Sequence, residues 1–264
     1  MSTQPLHTDE YTQFCDGVRR LSGIDLGQYN RPQMERRIRS FADRRGITSL
    51  NAYLTALADD PAQLEQFLDR VTINVSQLWR NPEQFVRLAM DVIPGLAETG
   101  RIRCWSAGCS YGAEAYTLAA LCKTVAPSAA IEVRGTDIDS RIIARAREAC
   151  FSPDDMRSVP VSDARRWFDQ LPDGRFQAKP ELRMLTKFET GDLLRDRFPT
   201  GHYDLVLCRN VVIYFNEQVR DELHARLVRS LRPGGFLMIG SSERITSASA
   251  IGLEIAHPFI YRRA

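Results

Sequence analysis

Up to Leu96 apolar positions recur every third or fourth residue between short polar breaks, and no β-branched strand run appears before Arg101. This spacing predicts an all-helical unit. Within it, RPQMERRIRSFADRRG opens on Arg31-Pro32, with the proline in a first helical turn, where it is tolerated. On a helical wheel Met34, Ile38, Phe41 and Ala42 share one face, while Arg36, Arg37 and Arg44 fall within an arc of roughly 100° on another. The core side is thereby taken, and the arginines form either an ordinary solvated face or a docking face.

From Arg101 the pattern changes to short strand-like runs, RIRCWSA, IEVRGT, YDLVLC and GFLMIG, separated by helical stretches such as SYGAEAYTLAALCKTVA and EQVRDELHARLVRSL. That alternation predicts a mostly parallel sheet with helices on both faces. Between Phe151 and Glu189 the rhythm breaks. There, WFDQLPDGRFQAKPELRMLTKF carries Asp173-Gly174 between short alternating segments, a hairpin signal that predicts a small antiparallel insertion at about 165–188. The closing LEIAHPFIYRR reads as one last strand beside GFLMIG. The expected division is a helical domain over residues 1–85 and an α/β domain over residues 86–264.

Charge and composition narrow the field. Among 264 residues, 35 basic side chains against 33 acidic ones leave a net charge of +2, too little to point to nucleic acid as a partner. No apolar run reaches the roughly 18 residues of a membrane span, and MSTQPLHTDEYTQF lacks the layout of a secretion signal, so membrane insertion is not expected and the cytoplasm is the expected location. The six cysteines show no C-x-x-C pair and no nearby histidines, so they are expected to be reduced, with neither a metal site nor a disulfide framework.

In an open α/β sheet a ligand binds at the C-terminal strand ends, and the first strand-to-helix turn is the usual place for a nucleotide. That turn holds Gly108 and Gly112 but lacks both G-x-G-x-x-G and G-K-[ST], so a pyrophosphate fits poorly. Asp137 in GTDIDS stands where a carboxylate accepts hydrogen bonds from both ribose hydroxyls, with Asp139 left to cap the next helix. Glu114 favours an amine or a sulfonium. These features suit S-adenosylmethionine better than NAD, although the glycines can also serve only the tight turn and close packing. Arg209, Asn210 and Tyr214 in LVLCRNVVIYF emerge at the ligand-facing edge, without the Pro-Pro-Tyr-like turn often found in enzymes that methylate amines. In VTINVSQLWRNPEQF, Asn74, Ser76 and Arg80 stand among apolar residues; the plainer alternative is a helix capped by Ser76 or Asn81 with Trp79 in the core.

Taken in order, INVSQLWR, WSAGCSYGAEAYTLA, GTDID, CRNVVIYF and LRPGGFLMIGSSE resemble the chemotaxis receptor glutamate O-methyltransferases, the CheR family, from about Tyr11 to the C-terminus. The resemblance implies an α/β fold: a small all-helical N-terminal domain, then a Rossmann-like S-adenosylmethionine methyltransferase domain whose mostly parallel sheet has an antiparallel last strand, with an inserted antiparallel β-subdomain. It places cofactor contacts on Asn74, Ser76, Arg80, Glu114, Asp137, Asp192, Leu193, Arg209 and Asn210, around the Gly108 turn, and Tyr214 at the site of methyl transfer. Ser76 stands for the family's usual Thr, Leu78 and Trp79 for two aromatics, and Asp192 for a common Asn. The LPDGRF hairpin is shorter than in members that dock on a receptor's C-terminal peptide, which suggests the peptide-independent type.

A glutamate with an ordinary pKa of about 4.3 is ionised at neutral pH, so its attack on a sulfonium methyl needs no general base. Alignment and desolvation would drive the reaction, leaving S-adenosylhomocysteine. Arg80 and Arg209 suit carboxylate anchoring and Tyr214 suits orienting the substrate oxygen. Arg36, Arg37 and Arg44 would meet acidic cytoplasmic helices of a chemoreceptor. Rival readings are an O-methyltransferase for another carboxylate and a non-catalytic module that senses S-adenosylmethionine.

Overall fold

The protein is described here from a computed structural model covering residues 9–71 and 76–264. Its chain forms two compact units. The first comprises residues 9–71 with 214–219, and the second comprises residues 76–213 with 220–264.

The first unit is built from α1 (Glu10–Ser22), α2 (Arg31–Asp43), α3 (Leu50–Asp59) and α4 (Pro61–Val71). Local chemistry sets their ends. Asp9, Asn30 and Ser49 each accept an N–H of the first turn they precede, and Gly23 closes α1 in the left-handed region at φ 79°. Phe14 stacks on Tyr53 at 5.8 Å and meets Phe67 edge-on at 5.7 Å; burying each such ring is worth roughly 1.5–3 kcal/mol. The segment at 214–219 joins this unit through a bridge between Tyr29 and Phe215, and Asn30 donates its N–H to the Tyr214 carbonyl at 2.7 Å. Helix α2 buries Met34, Ile38, Phe41 and Ala42, the face its periodicity marks as apolar.

The second unit opens with α5 (Pro82–Arg87), a π-helical turn at Leu88–Val92 and α6 (Ile93–Ala97). Pro94, which has no N–H to give, follows that widened turn. Then come β1 (Arg101–Ala107), α7 (Ala113–Val125), β2 (Ala130–Asp137), α8 (Ser140–Glu148), β3 (Cys150–Phe151), α9 (Val161–Trp167), β4 (Phe168–Gln170), β5 (Phe176–Ala178), α10 (Pro180–Leu185) and β6 (Thr186–Thr190). The unit ends with β7 (Tyr203–Cys208), α11 (Glu217–Ser230), β8 (Leu231–Ile239), β9 (Leu253–His257) and β10 (Ile260–Arg263). The large sheet runs β6-β2-β1-β7-β8-β10-β9. Its first five members are parallel, β10 is antiparallel to β8, and β9 is antiparallel to β10. Because β1 has β2 on one side and β7 on the other, the order reverses there, and the C-terminal ends of β1 and β7 form the switch point at which open α/β sheets bind ligands.

Several boundaries differ from the sequence expectation. Residues 76–85 belong to the second unit, because Leu78, Trp79 and Phe85 are buried in its core. The small antiparallel sheet, in the order β3-β5-β4, recruits Cys150–Phe151 and ends at Ala178. Its hairpin turns at Asp173-Gly174, with Gly174 at φ 84°. Strand β6, whose residues 186–188 the sequence assigns to that insertion, instead pairs with β2 at the edge of the large sheet. The last strand proves to be a hairpin: Pro258-Phe259 turns the chain, with Phe259 at φ 65°, so β10 fills the slot beside β8 and β9 takes the edge. All six cysteines are free thiols, and five of them are buried. No helix among the described residues is long and apolar enough to cross a membrane.

Candidate active site

The turn leaving β1 is tied to the end of β2. Gly108 and Cys109 both donate their N–H to the Thr136 carbonyl, at 2.8 and 2.9 Å, and Ser110 donates its own to Asp137 Oδ2 at 2.9 Å. Gly108 sits at φ 77°, and a Cβ there would lie 2.5 Å from Val211, so backbone conformation and close approach both require glycine. Asp137 is nearly buried, and its Oδ1 accepts the Asp139 N–H at 3.1 Å. Burial pushes its carboxyl pKa up, while the amides of Asp139 and Ser110 act the other way. Asp139 caps α8 through the amides of Arg141 and Ile142, the capping role that its place in GTDIDS suggests. Gly191 donates to the Asp137 carbonyl at 2.9 Å, which brings Asp192 and Leu193 to the same end of the sheet. The Asp192 carboxylate accepts the Leu194 amide and pairs with Arg195, giving it a local turn-stabilising role.

The second cluster centres on Arg209, at the end of β7. Nη1 meets Glu114 Oε2 at 3.1 Å, Nη2 donates to the Arg80 carbonyl at 2.7 Å and to Asn81 Oδ1 at 3.0 Å, and Gln84 Oε1 accepts from both Nε and Nη2. The guanidinium also lies over the Phe85 ring, 5.2 Å from its centre. This corrects one expectation. Arg209 is not presented to an incoming carboxylate, because its side chain is 2% exposed and wrapped by protein acceptors. Its work is to hold Glu114, whose other oxygen accepts the Ser106 hydroxyl at 2.7 Å. Asn81 stands at the start of α5 without capping it, since its side chain goes to Arg209 instead.

Ser76 enters through its carbonyl, which accepts the Tyr111 hydroxyl; that hydroxyl also reaches Asp155 Oδ1 at 2.7 Å. Tyr111 therefore ties the cofactor turn to the segment leading to Arg80, and the Arg145 guanidinium covers its ring at 4.3 Å. Burial, reinforced by Asp155, pushes the Tyr111 phenol pKa up. Asn210 holds φ 58°, with its N–H on Glu243. Asn74 lies outside the described residues. Tyr214 belongs to the first unit, as does Arg37, whose charge feels the Tyr214 hydroxyl. Arg37, Arg44 and Arg70 surround the Phe41 ring at 5.6, 5.4 and 5.9 Å, while Arg36 lines a shallow groove of mixed charge with Glu35, Arg39 and Asp43.

Family models match nearly the whole chain: the CheR methyltransferase all-alpha domain covers residues 9–72, and the CheR methyltransferase SAM binding domain covers residues 74–254. This chain belongs to the CheR family. Among its relatives, the chemotaxis protein methyltransferase of Listeria innocua is 34% identical over 254 residues, spanning 96% of both chains. That of Borreliella burgdorferi is 29% identical, over 97% of this chain and 94% of its own. Chemotaxis protein methyltransferase 1 of Pseudomonas aeruginosa is 29% identical, over 85% and 86%.

As a CheR protein the chain is an S-adenosylmethionine-dependent methyltransferase of chemotaxis. The residues present fit that cofactor. Ser110 Oγ, Gln84 Nε2 and Glu243 Oε1 are buried without a partner among the described residues, leaving a donor and acceptors to be satisfied. The carboxylates of Asp137, Glu114 and Glu243 outweigh the guanidinium of Arg209, a balance suited to a cationic ligand without phosphates. Sequence reasoning missed Asn81, Gln84, Ser106, Tyr111 and Glu243 as members of the site. All five lie in segments that the sequence singles out, Asn81 and Gln84 in VTINVSQLWRNPEQF, Ser106 and Tyr111 in WSAGCSYGAEAYTLA and Glu243 at the end of LRPGGFLMIGSSE.

Proposed function

We propose that this CheR protein methylates glutamate side chains on the cytoplasmic helices of chemoreceptors, forming methyl esters. The observation that carries the reading is the Glu114–Arg209–Ser106 arrangement beside the turn tied to Asp137. It is an acidic cluster at the switch point of the sheet, beside a turn that lacks the phosphate-gripping motifs, in a chain that matches the family almost end to end. S-adenosylmethionine supplies an electrophilic methyl on a sulfonium, and an ionised glutamate is already a competent nucleophile. As the oxygen–carbon bond forms, the carbon–sulfur bond breaks and its electron pair stays with sulfur, so no proton need move.

The protein's task is then placement and exclusion of water. Asp137 would accept the ribose hydroxyls, and Glu114, held by Arg209 and Ser106, would take the cofactor's ammonium. Ser76, Arg80, Asp192, Leu193 and Asn210, with Asn74, would complete the cofactor contacts. Tyr214, five residues beyond Arg209 in the chain, would orient the substrate oxygen by donating its hydroxyl. Arg36, Arg37 and Arg44 would recognise the acidic receptor helices, and the short loop at Asp173-Gly174 suits a protein that needs no receptor tail peptide. This work belongs in the cytoplasm.

The test is transfer of labelled methyl from S-adenosylmethionine to receptor-containing membranes, read as methanol released by mild alkali. Label that depends on Asp137, and is lost in Asp137→Ala, supports the reading. Cofactor binding without alkali-labile label across a receptor panel would favour a sensing module.

A further inference from the structure

Glu243 takes no individual cofactor or substrate atom in the roles assigned above, yet it is 5% exposed and its carboxylate faces backbone amides. Oε2 accepts the N–H of Gly240 at 2.6 Å and of Asn210 at 3.0 Å; burial pushes its carboxyl pKa up, and the amides of Gly240, Asn210, Val212 and Val211 act against that rise by favouring the charged form. Oε1 has no hydrogen-bond partner among the described residues. Among the described residues no lysine, arginine or histidine lies within ion-pair distance of Glu243. The fit is tight. A Cβ on Gly240 would stand 2.9 Å from both the backbone nitrogen and Nδ2 of Asn210, and 2.8 Å from Glu243 Oε2. An uncompensated buried carboxylate is costly to keep, and these amides stabilise it in place of a cation.

The consequence for the site follows from peptide geometry. In a planar trans peptide the N–H and C=O point in opposite directions, so an amide drawn to Glu243 turns the carbonyl of the same peptide away from it. For the amides of Asn210, Val211 and Val212, those carbonyls belong to Arg209, Asn210 and Val211. Glu243 follows β8, the Gly108 turn follows β1, and β7 lies between them in the sheet. The segment after β7 therefore stands between a buried negative charge and the cofactor turn, with Val211 packed against Gly108.

We propose that Glu243 is a charge-selective positioning residue, holding the Arg209–Val211 carbonyls and its own negative field so that the site gains affinity for the sulfonium cofactor relative to a neutral analogue. The inference rests on the cofactor reading above. S-adenosylmethionine and S-adenosylhomocysteine differ at the sulfur by one methyl and one positive charge, so their affinity ratio reads the field, whereas a loss of packing weakens both alike.

The experiment is calorimetric titration of both ligands into the full chain and into E243Q, which keeps an acceptor oxygen and removes the charge. E243Q is expected to weaken S-adenosylmethionine about tenfold and S-adenosylhomocysteine about twofold or less, an electrostatic difference of ordinary size for a buried charge. In G240A, which displaces the same contact with the charge retained, both ligands should weaken in equal proportion. Equal weakening in E243Q, or no change, overturns the proposal. If E243Q loses its cooperative melt, E243M serves, close to Glu in length and without its charge; an unchanged ratio there overturns the proposal too. A wild-type chain that binds neither ligand overturns the cofactor reading itself, and this inference with it.

Discussion

Arg209 and Glu114 lie 95 positions apart in the chain and meet at 3.1 Å, with the arginine side chain 2% exposed. The pair joins the end of β7 to the first turn of α7, and the same guanidinium reaches back to the Arg80 carbonyl and to Gln84. Replacing Arg209 by Leu strands a buried carboxylate, and a broken buried pair costs about 3–5 kcal/mol. Urea unfolding should show a loss of that size. Arg209→Lys should recover only part of it, because an ammonium cannot reproduce the planar fork across these acceptors. A loss below about 1 kcal/mol, the range of a surface ion pair, would refute the role given to Arg209.

Gly108→Ala confronts two obstacles, a left-handed φ of 77° and a Cβ 2.5 Å from Val211. Strain and overpacking together should cost about 1–3 kcal/mol in thermal unfolding. Affinity for S-adenosylhomocysteine should fall with it, since the turn that places Ser110 against Asp137 must shift. Unaltered binding would mean that the turn does not line the cofactor.

Tyr111→Phe keeps the ring beneath Arg145 and removes the only proton shared with Asp155 and the Ser76 carbonyl. The two acceptors left behind should cost about 1–3 kcal/mol. Because Ser76 leads to Arg80, cofactor affinity should weaken as well. A variant as stable and as tight-binding as the wild type would show that the hydroxyl ties nothing down.

Stability should fall on acidification through His224. It is buried in α11 with both ring nitrogens unpartnered, and burial, with Arg220 adding to it, depresses its pKa from 6.5 to about 4. Since the folded pKa is the lower one, the unfolded chain takes up the proton first. The contribution is complete above pH 6.5 and is lost as pH falls from 6.5 to about 4, up to roughly 3 kcal/mol in all. Asp137 and Glu243, whose pKa values burial raises, act in the opposite sense as they protonate and offset part of that loss. Chemical denaturation of His224→Leu across the interval should give a flatter profile; an equally steep one would exclude His224.

Reversing charge at Arg36, Arg37 and Arg44 together tests receptor recognition apart from chemistry. Arg36 and Arg37 lie on α2 and Arg44 just past its end, all in the first unit, whereas Glu114, Asp137 and Arg209 lie in the second. The triple Glu variant should therefore bind S-adenosylhomocysteine as tightly as the wild type while losing at least tenfold in methyl transfer to receptor membranes, the scale of several interfacial charges. Undiminished transfer would favour the solvated-face reading or another substrate.

The sequence by itself determined what depends on local spacing. The apolar face of α2, the strand-then-helix alternation after Arg101, the hairpin at Asp173-Gly174 and the cap at Asp139 follow from side-chain periodicity and short-range hydrogen bonding, which act within a few residues. The Gly108 turn and Asp137 were legible for the same reason, standing where a strand gives way to a helix. Tertiary structure alone decided the rest. Thr186–Thr190 became an edge strand because β2 offered it a free ladder, and LEIAHPFIYRR folded into a hairpin because β8 had one open side. Arg209 became the anchor of Glu114 because β7 lies beside β1 in the sheet, a neighbour that no local pattern names. Glu243 acquired its amides in the same way, from a strand order that brings the ends of β7 and β8 together.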